Sequence, residues 1–287
     1  MKKITLKIVD GNKIAEKIKK EASIELKKLF NLYKIKPKIT TIKIGNDPQS
    51  DLYLKLRDKA CKDVGIISNH LEFPENISEK EIINSIINLN SDKNTHGILI
   101  QFPIPNHISA RKLFNSIRDI KDVEGFNPHN LGKTFIGEKS IIPCTPLAVL
   151  KILEYEEEKI EGKDIVIINH SNIVGKPLAI LLLNRNATVS VCHIFTKNLE
   201  SYTSRADILI SAIGIPNFIS NNFVKDGSFI IDVGISKHEK GISGDVDFES
   251  VKDKIDKITP VPGGVGPITV ACSIHNMIKT YRNCFEQ

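Results

Sequence analysis

The sequence predicts an α/β protein of two lobes with a cleft between them, the second lobe Rossmann-like. Two observations carry this. Short apolar runs alternate with helical patterns almost throughout, the signature of parallel strands joined by crossover helices. The 287 residues are also enough for two medium cores.

In the first half, Thr40-Thr41-Ile42-Lys43-Ile44 reads as a strand ending at Gly45, followed by a helix over 50–65. Gly97-Ile98-Leu99-Ile100-Gln101 is a second strand, stopped by Pro103 and Pro105, which cannot donate to a ladder. Pro143-Cys144-Thr145-Pro146 is a rigid lead into a helix over 147–157. Asp164-Ile165-Val166-Ile167-Ile168 has the continuous apolar character of a buried strand, and it runs through a turn into a helix near Gly175-Lys176-Pro177. Three further strands are expected at 188–191, 208–210 and 229–233, completing a Rossmann-like set. A last helix, from about 269 to 282, is expected to pack back on the first domain. The division expected is 1–124, completed by a C-terminal helix over 267–287, and 125–266 for the Rossmann-like domain.

The composition, 41% hydrophobic and 26% charged, is ordinary for a globular protein. No apolar run reaches the roughly 18 residues of a membrane span, and the basic start meets Asp10-Gly11 before any signal-peptide core develops. A cytoplasmic protein with no membrane partner is expected. Five scattered cysteines, with no CxxC pair, suggest neither a zinc site nor a disulfide framework. His170, His193 and His275 lack ligand spacing, so no metal is expected. The net charge of +6 comes from lysines spread along amphipathic helices without an aromatic-rich RNA motif, so no nucleic-acid partner is expected; the excess also suits an anionic small molecule.

The chemistry is carried by segments in a fixed order: Ser50-x-x-Tyr53, Gln101-Phe102-Pro103-Ile104-Pro105, Lys121-Asp122-Val123-Glu124-Gly125-Phe126, Pro143-Cys144-Thr145-Pro146, and Pro262-Gly263-Gly264-Val265-Gly266-Pro267. Between the last two lie Ser171-Asn172-Ile173-Val174-Gly175-Lys176-Pro177 and Gly244-Asp245-Val246-Asp247-Phe248. Over essentially the whole chain this order resembles the methylene-tetrahydrofolate dehydrogenase/cyclohydrolase family.

The resemblance implies an N-terminal catalytic lobe and an NAD(P)-binding Rossmann-like domain, working on a reduced folate. It implies NADP-dependent oxidation of 5,10-methylene-tetrahydrofolate, hydrolysis of the methenyl product to 10-formyl-tetrahydrofolate, a link to purine biosynthesis, and a homodimer. Catalysis falls to Tyr53, Arg57, Gln101 and Glu124; the folate to Tyr53, Gln101, Pro103, Glu124, Pro262, Gly263, Gly264 and Pro267. The cofactor falls to Thr145, Asn169, His170, Ser171, Ile173, Gly175, Pro177, His193, Ile235 and Thr269. Local chemistry agrees with some of these roles. Tyr53 offers a flat ring to a pterin, or is a half-buried packing residue. Gln101 presents an amide at a strand end, and the glycines let backbone approach a ligand or simply form a tight turn.

Three positions depart from the family's pattern. Arg57 stands where the family has a lysine, one helical turn after the tyrosine. An arginine cannot give up its proton, so a weakened or absent hydrolytic step is expected while hydride transfer tolerates the change. Glu124 replaces an aspartate, keeping the charge and adding a methylene; either the ligand sits differently or the backbone shifts. Asn169-His170-Ser171 replaces Gly-Arg-Ser, which weakens 2′-phosphate recognition and leaves NAD beside NADP. Lys176 and Lys197 either compensate or are solvated surface residues. The alternatives are a dehydrogenase-only enzyme, a folate- or nucleotide-binding paralogue without catalysis, and another two-lobed dehydrogenase of the shikimate or glutamyl type.

Overall fold

The computed structural model describes residues 6–238 and 241–286. In chain order they form β1 (Lys7–Ile8), α1 (Gly11–Tyr33), β2 (Lys38–Ile44), α2 (Pro48–Val64), β3 (Ile67–Phe73), α3 (Glu79–Ser91), β4 (Gly97–Ile100), α4 (Ala110–Ser116), α5 (Pro128–Phe135) and α6 (Cys144–Tyr155). There follow β5 (Asp164–Ile168), α7 (Gly175–Leu183), β6 (Thr188–Cys192), α8 (Leu199–Thr203), β7 (Ile208–Ser211), β8 (Phe229–Asp232), β9 (Ser236–His238), β10 (Gly241–Ser243), α9 (Phe248–Val251), β11 (Lys257–Ile258) and α10 (Val265–Asn283). Two compact units result: Glu16–Cys144 with 270–286, and Thr145–Thr269 with 6–15.

The first unit holds a parallel three-stranded sheet in the order β3-β2-β4. Its core collects Ala22, Leu26 and Leu29 of α1, Ala60 and Cys61 of α2, and Val270, Ile274, Met277 and Tyr281 of α10, spaced as one face of each helix. In this core α10 packs its buried face against α1 and α2. That helix begins at Val265, inside the Pro-Gly-rich segment rather than after it. The edge strand β3 was not expected, because Ser68, Asn69 and His70 break its apolar run and half of it faces solvent. A capping box, Ser78 with Glu81, starts α3. Its last turn is held by Lys121, whose buried ammonium donates to the carbonyls of Leu89, Asn90 and Asp92 at 2.8–3.0 Å.

The second unit holds a six-stranded, all-parallel sheet, β1-β11-β8-β7-β5-β6. β5, β7 and β8 are buried along nearly their whole length, as their unbroken apolar runs predict. The chain leaves β5 through α7 to β6 on one side, then returns through α8 to β7 on the other. β5 and β7 thus flank a topological switch point, where crossover connections diverge and leave room at the carboxyl ends of the strands. Among the described residues no helix is long and apolar enough to cross a membrane.

Candidate functional site

Within the first unit, α2, the end of β4 and the segment after Lys121 bring four predicted residues together. Tyr53 and Arg57 are one turn apart on one face of α2, with the guanidinium carbon 5.0 Å from the ring centroid. Gln101 follows β4 directly, and its backbone N–H is fixed to the Ile42 carbonyl at 2.8 Å. Arg57 Nη2 donates to Gln101 Oε1 at 3.3 Å, and Gln101 Nε2 donates to the Phe102 carbonyl at 3.0 Å. Arg57 is 2% exposed, yet its Nε and Nη1 find no partner among the described residues. Burying charged N–H groups unpaired is costly, so this guanidinium is held ready for an acceptor. Lys55 and Lys59 point to solvent and take no part.

Glu124 is delivered by a pinned turn. Asp122 bridges to Ile98 of β4, and its buried carboxylate accepts from the backbone N–H groups of Gly125 (3.0 Å) and Asn127 (2.7 Å) and from Asn130 Nδ2 (3.1 Å). Gly125 sits at φ +71°, and a side chain there would strike the Ile141 carbonyl at 2.6 Å. The crossing segment leads to Cys144, whose thiol donates to the Val123 carbonyl at 3.7 Å. Asn276 of α10 ties the crossing together, donating from Nδ2 to the carbonyls of Val123 and Ile142. Asp122 and Asn276, absent from the predicted site, are thus its framework; only their place beside Glu124 and on the last helix could have signalled this.

Burial sets the proton affinities here. It raises the Glu124 carboxyl to about 7 against the pull of Arg57, and nearby Asp122 adds to the rise. Burial also raises Asp122 to about 6, opposed by its hydrogen bonds. The Tyr53 phenol and the Cys144 thiol are pushed well above their ordinary ranges, again by burial first. Pro103 lies exposed beyond the cis Phe102–Pro103 bond. The side chain of Ser50 lies outside the described residues.

The remaining predicted residues belong to the second unit. At the end of β5, the Asn169 carboxamide accepts from the N–H groups of Ser171 (2.8 Å) and Gly175 (3.1 Å) and donates to the Ala212 carbonyl at 2.7 Å. Its backbone is not left-handed, so here the asparagine replaces a glycine by clamping the turn rather than by tolerating positive φ. Ser171 Oγ accepts from Val174 N–H at 3.1 Å. The N–H groups of Asn172 and Ile173 meet no acceptor among the described residues, just before the N-terminus of α7. A side chain at Gly175 would strike the Asn169 carbonyl at 1.9 Å, so only glycine lets α7 seat on the strand. Pro177 is buried in α7.

His170, after β5, and His193, after β6, lie with ring centroids 4.8 Å apart. Lys176 is exposed and donates to Asn172 Oδ1 at 2.8 Å; Lys197 is exposed. Ile235 is exposed, Thr145 is half-buried in α6, and Thr269 donates to the Val265 carbonyl in α10. Pro262, Gly263 and Gly264 form the turn before α10, and Pro267 is in its first turn. Gly263 has φ +98°, and its carbonyl accepts from Gly11 N–H at 2.9 Å.

Two aspartates of this unit escaped prediction. Asp245 accepts from Ser211 Oγ and from the N–H groups of Ile213, Gly214 and Ile215, fixing the chain after β7. Asp232, at the end of β8, accepts from Gly234, Asp245 and Val246. The Gly-Asp-Val-Asp segment was the available signal.

Comparison with known proteins assigns the family. The description "Tetrahydrofolate dehydrogenase/cyclohydrolase, catalytic domain" matches residues 9–124, and its NAD(P)-binding counterpart matches 143–285. The chain belongs to the tetrahydrofolate dehydrogenase/cyclohydrolase family. A relative from Methanococcoides burtonii, "Bifunctional protein FolD", is 44% identical over 274 residues, 96% of each chain. The Campylobacter jejuni bifunctional FolD structure superposes with a TM-score of 0.94 at 44% identity, covering 97% of this chain and 99% of its own. The Trypanosoma brucei methylenetetrahydrofolate dehydrogenase-cyclohydrolase, complexed with NADP and an inhibitor, gives 0.93 at 32% identity, covering 98% and 99%. This membership displaces the shikimate- and glutamyl-type alternatives.

Proposed function

We propose that this chain oxidises 5,10-methylene-tetrahydrofolate with NADP and hydrolyses the methenyl product to 10-formyl-tetrahydrofolate. The observation that carries the reading is the Tyr53–Arg57–Gln101–Glu124 cluster within a chain whose relatives are bifunctional over its whole length. The first unit is the folate-binding unit. Tyr53 gives a ring face to the pterin, Gln101 is held rigid by Arg57 and Phe102, and Glu124 adds an ionisable carboxyl.

The second unit suits the nucleotide. The switch point beside β5 and β7 leaves room, and the unpaired N–H groups of Asn172 and Ile173 suit a pyrophosphate at the start of α7. His170 and His193 stand at the strand ends where Rossmann domains read the ribose 2′ position. No acidic side chain replaces them there to repel a 2′-phosphate, which favours NADP while leaving NAD usable. NADP, when bound, accepts the hydride.

A homodimer is supported by the open sheet edge at β6, where Val191 is exposed and Ile194 and Phe195 follow, exposed, in the next loop. Five free thiols suit a reducing cytoplasm, and a 10-formyl product suits a role in purine biosynthesis.

The test is a two-part assay of the purified protein, following methylene-tetrahydrofolate oxidation with NADP and with NAD, then hydrolysis of added methenyl-tetrahydrofolate. Both activities are expected, with NADP preferred. Tight folate binding without turnover would replace this reading with a binding paralogue.

A further inference from the structure

Tyr53 and Arg57 act from α2, so their reach depends on how that helix is seated on the sheet beneath it. Its apolar grip is uneven. After Arg57, Ala60 and Cys61 join the core of the unit; before it, Leu54 is buried while Leu52 and Leu56 are exposed. Apolar burial is also non-directional, holding a helix down without fixing its roll or its slide. In the half that carries Tyr53 and Arg57, directional bonds must supply that.

Each strand of the sheet β3-β2-β4 contributes to them. From β2, Lys43 Nζ donates to Asp51 Oδ1 at 2.5 Å, and Lys43 is 7% exposed. From β3, Ser68 Oγ donates to Asp58 Oδ1 at 2.6 Å, while His70 Nε2 lies 3.0 and 3.1 Å from the two Asp58 oxygens. From the end of β4 comes Gln101, bonded to Arg57. Strand register puts these groups on one face. Ser68 and His70 pair with Ile39 and Thr41, and Thr41 pairs with Leu99, so Lys43 and Gln101 continue that face two residues on. Arg57 and Asp58, about 100° apart on the helix, therefore reach the two outer strands from opposite flanks.

Asp51 and Asp58 bracket the turn from Tyr53 to Arg57. We propose that Lys43 with Asp51, and Ser68 and His70 with Asp58, are positioning residues that fix the roll and slide of α2 and so aim Arg57 at Gln101 and Tyr53 at the substrate. This rests on the folate reading above. Lys43 is an anchor and does not replace the missing lysine as a base, because its hydrogen bond to Asp51 holds the ammonium above the usual lysine range despite burial.

A roll of about 10° moves a guanidinium roughly 7 Å from the helix axis by about 1 Å. A displacement of that size costs up to about 100-fold in rate. The Asp58–His70 pair is partly exposed on both sides and adds little to stability, so aim and stability are separable.

The experiment compares full-length wild type with Asp58→Ala, Asp58→Asn, Lys43→Met, Arg57→Met and the double variant Asp58→Ala/Arg57→Met. Ile82→Val, an apolar deletion on α3, serves as a control for general softening. Oxidation of methylene-tetrahydrofolate with NADP is followed at saturating substrate, well below each unfolding midpoint. Asp58→Ala and Lys43→Met should each lower kcat by about tenfold, with KM for NADP within about twofold of wild type. Asp58→Asn, which still accepts from Ser68, should recover most of the loss. In the Arg57→Met background Asp58→Ala should cost less than about twofold, since Asp58 acts through Arg57. Ile82→Val should lower the unfolding temperature and keep kcat. Thermal unfolding checks that each variant is folded, and Asp58→Ala carries the test if Lys43→Met is not. Unchanged kcat in Asp58→Ala overturns the proposal, as does an equal loss with and without Arg57, or an equal loss in Ile82→Val. A wild type with neither oxidation nor hydrolysis overturns the folate reading instead.

Discussion

The candidate sites of the two units use their polar groups differently. In the second unit Asp245 takes four donors, Asp232 three, and the Asn169 carboxamide makes three bonds. In the first unit the Arg57 guanidinium is buried with two nitrogens unpaired, and the Glu124 carboxylate accepts nothing. A satisfied polar group stabilises and shapes a loop; an unsatisfied one costs stability and waits for a ligand. The Rossmann-like unit is therefore scaffold up to the turn before α7, and the Tyr53–Arg57–Gln101–Glu124 cluster is a reservoir of unspent interactions.

The largest effect that could break this contrast is at Gly175. Gly175→Ala places a methyl group 1.9 Å from the Asn169 carbonyl, so α7 cannot seat on β5 without backbone movement. NADP affinity should fall by about 100-fold or more, a loss of roughly 3 kcal/mol, measured by fluorescence titration; binding within a few-fold of wild type would contradict a rigid turn. Next is Asp245→Ala, which removes the acceptor of four donors, the buried Ser211 hydroxyl among them. Unfolding in urea should show a loss of about 2 kcal/mol with the Tyr53–Arg57–Gln101–Glu124 cluster chemically intact.

Arg57→Met should move the other way. It removes a buried, half-paired charge and fills similar volume, so stability should rise by about 1–2 kcal/mol while hydrolysis and oxidation both decline. A clear destabilisation would mean that Arg57 is framework like Asp245. The smallest effect is expected at His170→Ala: KM for NADP rises only a few-fold, about 1 kcal/mol or less, and KM for NAD is unchanged. Equal changes for both cofactors would remove His170 from 2′-phosphate recognition.

Arg57 shows both the reach and the limit of sequence reasoning. Its register one turn after Tyr53, and its inability to act as a base, follow from residue type and helical period alone. That it holds Gln101 through one nitrogen and leaves two others unpaired depends on which side chains of β4 reach α2. Asn169 makes the same point from the other side. The sequence marks it as a lost glycine, whereas the structure shows an amide doing by hydrogen bonds what a glycine does by freedom of φ.

The sequence by itself determined the alternation of strands and helices, the Rossmann-like run from β5 to β8 and the family, and it named Tyr53, Arg57, Gln101 and Glu124, which the structure places near one another. These are local or periodic signals: apolar runs, proline stops and fixed motif order. Only the tertiary structure decided that β1 closes the far edge of the six-stranded sheet, that β3 exists as a half-exposed edge, and that Lys121, Asp122, Asn276, Asp232 and Asp245 are framework. Strand pairing, Lys121, Asn276 and Asp245 depend on partners distant in sequence, and no local pattern records where an unpaired carbonyl or amide will lie.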